Sequence, residues 1–324
     1  MHCPTLSELP SPPPGRIGWP WTEETPQLHD TVPNGSPWPR ISIVTPSYNQ
    51  GQFIEETIRS VLLQGYPNLE YIIIDGGSTD NSVEIIERYE PWLAYWVSEK
   101  DKGQSHAINK GFARSTGEIM AWLNSDDYYA PFALSMVATS FSMTRTLWVA
   151  GKTLRINLGG NLTEGIGKPF EEIENWFVGD LYSQSSVFWK KALWEKCGKL
   201  DENLNYSFDY DLWLRFAHCQ PFALWIDQLL AYTRFHASSK TFTNKRQFIL
   251  EDKFVLANNK DLIPSFWERI KVWFLVRERK ADKKLSIVDK TESGPKKIFL
   301  GFLYAPWYVF SWKFYYKLKV LLFD

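Results

Sequence analysis

The stretch "ISIVTPSYNQGQFIEETIRSVLLQGYPNLEYIIIDGGSTDNS", residues 41–82, decides the fold. It opens on a short apolar run, ISIVT, and breaks into the polar cluster TPSYN from Thr45 to Asn49. A helical pattern follows from Phe53 to Gln64, then a second apolar run, LEYIIID, that breaks into DGGSTD from Asp75 to Asp80. This reads as strand, helix and strand, with a polar cluster at each strand end. The scheme continues with a helical pattern from Ser82 to Tyr89, AYWVS, a helical pattern from Gln104 to Ala113, and EIMAWLN. Apolar runs alternating with helices predict an α/β fold, with a central, mostly parallel sheet covered by helices on both faces. Ligands of such sheets bind beyond the carboxyl ends of the strands. Four polar clusters fall there: residues 45–49, 75–80, 99–104 and 124–127. They predict one pocket.

Outside this core the pattern changes. Residues 1–39 are proline-rich with little periodicity, which predicts an extended arm, draped or mobile. A domain is expected over 40–245, with a nucleotide-binding half at 40–130 and an acceptor half at 131–245. In the second half, LWVAGKTLRI and SSVFWKK read as strands, Asp209 to His218 as a helix, and FALWIDQLLAYTRFH ends in a strand. Residues 246–324 form a helical, basic and aromatic extension, with 13 Lys and Arg against 4 Asp and Glu between Arg269 and Lys319. Its uncharged run from Ile298 to Trp312 contains Pro306 and is shorter than the ~20 residues a spanning helix needs. Such a segment suits an anionic membrane surface, or packing against the domain, more than nucleic acid.

Composition is that of a globular protein, 44% hydrophobic and 23% charged, with a net charge of −1. The 16 Trp suit sugar stacking, although most such rings serve as core. Cys3, Cys197 and Cys219 have no metal-binding spacing, and the chain opens without a basic-then-apolar leader. Both features fit a cytoplasmic protein, peripheral on the inner face of the membrane if the tail binds there. Asn161 is then a chance sequon.

In NSDD, Asp126 and Asp127 put two carboxylates side by side. A solvated turn ahead of PFALSMVATSF would explain them as helix caps, but not the acidic Asp75 and Asp80 at another strand end. Hard cations such as Mg²⁺ or Mn²⁺ take oxygen ligands, often one or two carboxylates plus substrate phosphates. From Ile41 to about Thr241 the chain resembles the family 2 inverting glycosyltransferases, which have the GT-A fold. The residues that carry the resemblance are the opening stretch, EKDKGQSHAINKGFARSTGEIMAWLNSDDYY, SFDYDLWLRF and YTRFHASSKT, in the family's order.

The resemblance implies a nucleotide-sugar donor, UDP-sugars being favoured, bound across the strand ends. A hydroxyl on a glycan or lipid-linked acceptor would displace the nucleoside diphosphate. Thr45, Pro46, Tyr48 and Asp75 would contact base and ribose, and Gln104, in the third cluster, joins the donor contacts. Asn124, Ser125 and Asp126 occupy the family's D-x-D position. Asp126 is the metal-binding carboxylate, Asn124 offers a neutral hydrogen bond, and Asp127 supports the site from next door.

An attacking hydroxyl needs a base. Asp209 shares a helix face with Leu212, Trp213 and Phe216 and falls on the family's E-D base position, although Phe208 replaces the preceding acid. Asp211, four before Arg215, reads as an ordinary pair. Strand alternation puts Tyr232, Arg234 and His236 on one face. Arg234 is expected on phosphate and His236 on the metal, with SSKT after them as a lid. Gln184, Trp176, Trp189 and Trp213 are acceptor-side candidates, core packing being the better account of two of the three tryptophans.

The other enzyme classes fail on spacing. The turn after the first strand lacks G-x-G-x-x-G, GKT at Gly151 lacks the earlier glycine of a P-loop, and the basic glycine-rich loop of a sugar-nucleotide pyrophosphorylase is absent. The non-enzymatic alternative is a degenerate GT-A subunit serving membrane-associated assembly. Retained Asp126, Asp209 and His236 speak for a metal-dependent, hexosyltransferase-like enzyme of cell-surface polysaccharide or lipopolysaccharide synthesis.

Overall fold

The apolar runs form strands whose every residue is buried, as covering on both faces requires: β1 (Ile41–Ser47), β2 (Leu69–Asp75) and β4 (Ile119–Trp122). The computed structural model describes residues 3–259 apart from 30, 33–34, 158, 166–181, 237–238 and 241–244. The basic aromatic tail, Trp176 and half of the expected lid lie outside the described residues. With β3 (Tyr95–Ser98), β5 (Tyr128–Tyr129), β6 (Trp148–Ile156), β7 (Leu162–Glu164), β8 (Val187–Lys190) and β9 (Leu224–Arg234), these strands form a nine-stranded sheet. Its order is β3-β2-β1-β4-β8-β6-β9-β5, with β7 on β6.

β3, β2, β1 and β4 run parallel, each connected through a helix: α1 (Ile54–Leu62), α2 (Ser82–Tyr89) and α3 (Gln104–Phe112). The chain moves outward from β1 to β3 and then returns to β4 on the other side of β1. The loops after β1 and β4 therefore meet at a topological switch point, where such sheets bind ligands. Beyond β4 the sheet is mixed: β8 is antiparallel to β4, β6 antiparallel to β8, and β9 parallel to β6. α4 (Ala133–Met143), α5 (Lys191–Cys197), α6 (Phe208–Ala217) and α7 (Lys245–Asn258) complete the described elements.

Two packed regions hold this sheet. One lies between the parallel strands and α1, with Ile43, Ile58, Val61, Ile73 and Ile86 almost wholly buried. The other is aromatic. Trp122 of β4, Trp148 of β6, Trp189 of β8 and Trp213 of α6 are all fully buried, and Trp122 stacks on Trp213 at 5.6 Å between centroids. Trp189 and Trp213 are therefore core, the better account expected for two of the three acceptor-side tryptophans. Their strand and helix positions face inward, and burying an indole contributes more than leaving it at a wet rim.

The proline-rich arm is docked. Cys3, Leu9, Val32 and Trp38 join the first core. Arg59 of α1, fully buried, donates to the backbone carbonyls of Pro10 (2.8 Å), Pro20 (3.0 Å) and Trp21 (2.9 Å). Proline carries a carbonyl and no N–H, and a guanidinium has donors only, so each supplies what the other lacks. The Trp19 indole N–H donates to the carbonyl of Tyr129, 2.8 Å away, just past the NSDD loop.

Candidate active site

The loops after β1 and β2 are laced together by short polar side chains. Asp75, wholly buried at the end of β2, accepts from the N–H groups of Gly77 (3.1 Å) and Ser78 (2.8 Å) and from the hydroxyls of Ser78 (2.5 Å) and Ser98 (2.7 Å). Its carboxylate thus shapes the loop from within. Asn49, in the left-handed region at φ 53°, accepts from the N–H of Thr79, and Gly51 N–H donates to Asp80. Thr45 turns its hydroxyl inward to Tyr71 OH at 3.1 Å, and Pro46 is buried within β1. Of the four residues expected at base and ribose, Tyr48 is the open one, 60% exposed and free to stack.

Next to this loop the NSDD turn is held from three sides. Gln104, the first residue of α3, donates to Asn124 Oδ1 at 2.8 Å. The Thr57 hydroxyl on α1 lies 2.9 Å from the carbonyl of Ser125 and 2.6 Å from that of Asp127. The end of β9 supplies the third hold: Arg234 N–H donates to Asp127 Oδ1 (2.9 Å) and its guanidinium to the carbonyl of Asp126 (2.6 Å). Burial, together with the neighbouring Asp126 carboxylate, pushes Asp127 well above the usual carboxylate range.

The three residues expected on one face do turn together towards this loop. Tyr232 stacks on Tyr128 at 4.5 Å, Arg234 lies over the rings of Tyr128 and Phe53, and His236 Nε2 is 2.9 Å from Asp126 Oδ2. Arg234 is engaged differently from the phosphate contact expected of it. Its guanidinium pairs with Glu56 of α1 at 2.8 Å, so its charge is matched within the protein and it works as a clamp between α1 and the NSDD turn. Sequence reasoning missed Glu56 and Thr57, because an acid and a threonine in the first turns of a helix read as ordinary dipole and capping chemistry.

Asp126 and His236 arrive from segments 110 residues apart. Among the described residues no group of three or more His, Cys, Asp and Glu could hold a metal by itself. A pair suffices for a hard cation that takes its remaining ligands from phosphates and water. An octahedral ion with ligands about 2.1 Å away separates neighbouring ligand atoms by about 3.0 Å. The 2.9 Å between Nε2 and Oδ2 fits that span.

In the mixed half, Asp209 sits in the first turn of α6, partly buried, with Oδ1 accepting from Tyr210 N–H at 2.8 Å. Burial and the charge of Asp252 push its pKa up to about 6. The group responsible for the second part of that rise, Asp252, comes from α7, outside the domain expected over 40–245. Asp211 pairs with Arg215 at 2.8 Å, as its spacing requires. Gln184 donates to the carbonyl of Trp122, two residues before Asn124.

A parallel half-sheet, a topological switch point and an acidic turn facing a histidine define the class: the fold is that of the GT-A glycosyltransferases. Residues 42–193 match the family described as "Glycosyl transferase family 2". An "Uncharacterized glycosyltransferase" of Nostoc sp. is 34% identical over 113 residues, 34% of this chain and 35% of that one. The chondroitin synthase of Escherichia coli is 28% identical over 225 residues, 68% of this chain and 32% of that one. The chain thus spans about a third of the length of these two relatives.

Two solved structures share the fold at 17% identity. Staphylococcus aureus TarS 1–349 in complex with UDP-GlcNAc superposes with a TM-score of 0.59, covering 74% of this chain and 71% of that one. A mannosyltransferase from Pyrobaculum calidifontis in complex with GDP-Man and Mn²⁺ gives 0.50, covering 84% and 83%.

Proposed function

We infer that the chain is an inverting glycosyltransferase, taking a sugar from a nucleoside diphosphate donor, UDP-sugars favoured, to a hydroxyl of a glycan or lipid-linked acceptor. The observation that carries this reading is the 2.9 Å approach of His236 to Asp126 at the carboxyl ends of the strands. Those two side chains would hold Mg²⁺ or Mn²⁺ against the donor diphosphate, Asn124 and Ser125 lying beside it. The cation, when bound, offsets negative charge that builds on the departing diphosphate. Tyr48 stacks on the base, and the loop shaped by Asp75 seats the ribose. Asp209 accepts the proton of the attacking hydroxyl as that oxygen bonds to the anomeric carbon. The electron pair of the breaking C–O bond leaves with the diphosphate, and a single displacement inverts the anomeric centre. A base near pKa 6 is ionised at neutral pH and matched to its task better than an ordinary aspartate.

The relatedness to a chondroitin synthase supports polysaccharide synthesis as the setting. No helix among the described residues is long and apolar enough to cross a membrane. A cytoplasmic enzyme held on the anionic inner face by its basic tail suits both points. An intact chain that stays in the supernatant with anionic vesicles refutes the tether.

The activity test screens UDP- and GDP-sugars for nucleotide release with Mn²⁺. Asp126→Ala and chelation should each abolish metal-dependent donor binding. Asp209→Asn should cut turnover by about 10²–10⁴-fold while leaving donor affinity in place. Full donor affinity in excess chelator, or an active Asp209→Asn, refutes the assignment.

A further inference from the structure

α7 lies past the end of the segment that resembles the family, yet it reaches the helix that carries Asp209. The Glu251 carboxylate accepts three successive backbone N–H groups, from Asn205 (3.1 Å), Tyr206 (2.7 Å) and Ser207 (3.0 Å), in the turn that enters α6. Ser207, the residue before α6, makes no capping bond with its side chain, because its hydroxyl donates to Asp252 Oδ1 at 2.7 Å. Phe248 packs on Tyr206 at 5.2 Å between ring centroids, and Val255 and Asn259 are buried. Phe248, Glu251, Asp252 and Val255, with Asn259 just past the helix end, recur at three- and four-residue steps, so one face of the helix is committed to α6.

We propose that α7 belongs to the catalytic machinery, with Glu251 and Asp252 as positioning residues that seat the first turn of α6 and hold Asp209 poised as a base. The proposal rests on the reading of Asp209 as the general base and extends the catalytic unit to Asn259. A carboxylate gripping three N–H groups leaves the turn before α6 little freedom. Asp252, anchored by Ser207, adds a second negative charge that favours the protonated form of Asp209. Burial and Asp252 together account for the upward displacement of Asp209 to about 6. Asp252 is itself raised, by burial and then by Glu251. Facing these acids is Lys240, whose ammonium donates to the carbonyl of Asn205 at 3.2 Å and interacts with Glu251, Asp101 and Asp209. Among the described residues, the site thus balances one cation against four carboxylates drawn from α6, α7 and the loop after β3.

The test follows the aspartate carboxyl carbons of the full-length chain by NMR during a pH titration, with Asp209→Asn to assign the Asp209 signal. It needs no donor. The parent should titrate near 6, and Asp252→Asn should lower the Asp209 midpoint by about half a unit or more. Ser207→Ala, which releases Asp252 without changing any charge, should shift it the same way by less. Glu251→Gln should broaden or split the Asp209 signal as the turn loosens. An Asp209 midpoint unmoved in both Asp252→Asn and Ser207→Ala overturns the proposal. If Asp252→Asn does not fold, Ser207→Ala decides alone. An Asp209→Asn chain that still releases nucleotide at the parent rate from UDP-GlcNAc or GDP-Man would instead remove the underlying reading, whatever the titration shows.

Discussion

Replacing Glu56 by Gln tests the clamp on the NSDD turn, because it removes one charge and almost no volume. Arg234 and Glu56 expose only 11% and 12% of their side chains, and their 2.8 Å contact joins α1 to the end of β9. Removing one partner of a buried pair typically costs ~3–5 kcal/mol. Here the amide still accepts a hydrogen bond, and the guanidinium keeps the Asp126 carbonyl and the rings of Phe53 (5.3 Å) and Tyr128 (4.6 Å). Such ring contacts are worth about 0.5–2 kcal/mol. The exposed Arg16, 3.9 Å from Glu56, adds little. The expected net loss is therefore about 2–3 kcal/mol, seen as a Tm lower by roughly 3–4 °C in a chain of this size. Because Arg234 also holds the Asp126 carbonyl, calorimetric titration of Mn²⁺ in the presence of UDP should show weaker binding. Adding Arg234→Met should recover part of the stability and none of the metal affinity. A Glu56→Gln protein within about 0.5 kcal/mol of the parent, the range of a solvated pair, with unchanged Mn²⁺ affinity would refute the clamp.

Thr57→Val keeps the shape and removes the hydroxyl shared by Ser125 and Asp127. Chemical denaturation should show a loss of about 1–3 kcal/mol, with donor binding weakened alongside. Asp209→Asn should be more stable than the parent at neutral pH. The folded pKa of about 6 lies above the ordinary 3.8, so this group favours the folded state below about pH 4, and that contribution is lost as pH rises through 6. The variant should gain on the order of 2 kcal/mol at pH 7.5 and nothing at pH 4, by denaturant unfolding at both values. Arg59→Met leaves three arm carbonyls without their donor, and limited proteolysis should then cut within residues 4–30 ahead of the rest of the chain.

The parallel half was legible because every signal there is local. ISIVT and LEYIIID are buried throughout, and each polar cluster stands at a strand end. Asp126, His236 and Asp209 were recognisable as residue types in pattern. What each is wired to was not, since the partners come from afar: Glu56 for Arg234, and Asp252 for Asp209. Whether the arm is draped or mobile was open for the same reason. Its prolines carry no periodicity, and the residue that binds their carbonyls, Arg59, lies 39 to 49 positions away. The mixed second half of the sheet depends on which strands return as neighbours, and hydrophobic pattern alone cannot specify that.

The aromatic core also makes the protein its own optical probe. Trp122 leads into the acidic turn, Trp213 shares a helix with Asp209, and the two indoles stack at 14° with centroids 5.6 Å apart. Trp189 lies 5.5 Å from Trp122 and 5.7 Å from Trp213, and Trp148 lies 6.0 Å from Trp213. Indole transitions this close share their excitation, so the near-ultraviolet circular dichroism should be dominated by the coupled set rather than by single rings. A small rotation of α6 changes that coupling directly. The spectrum therefore reports whether the two halves of the site are in register, in an unlabelled sample and before any substrate has been found.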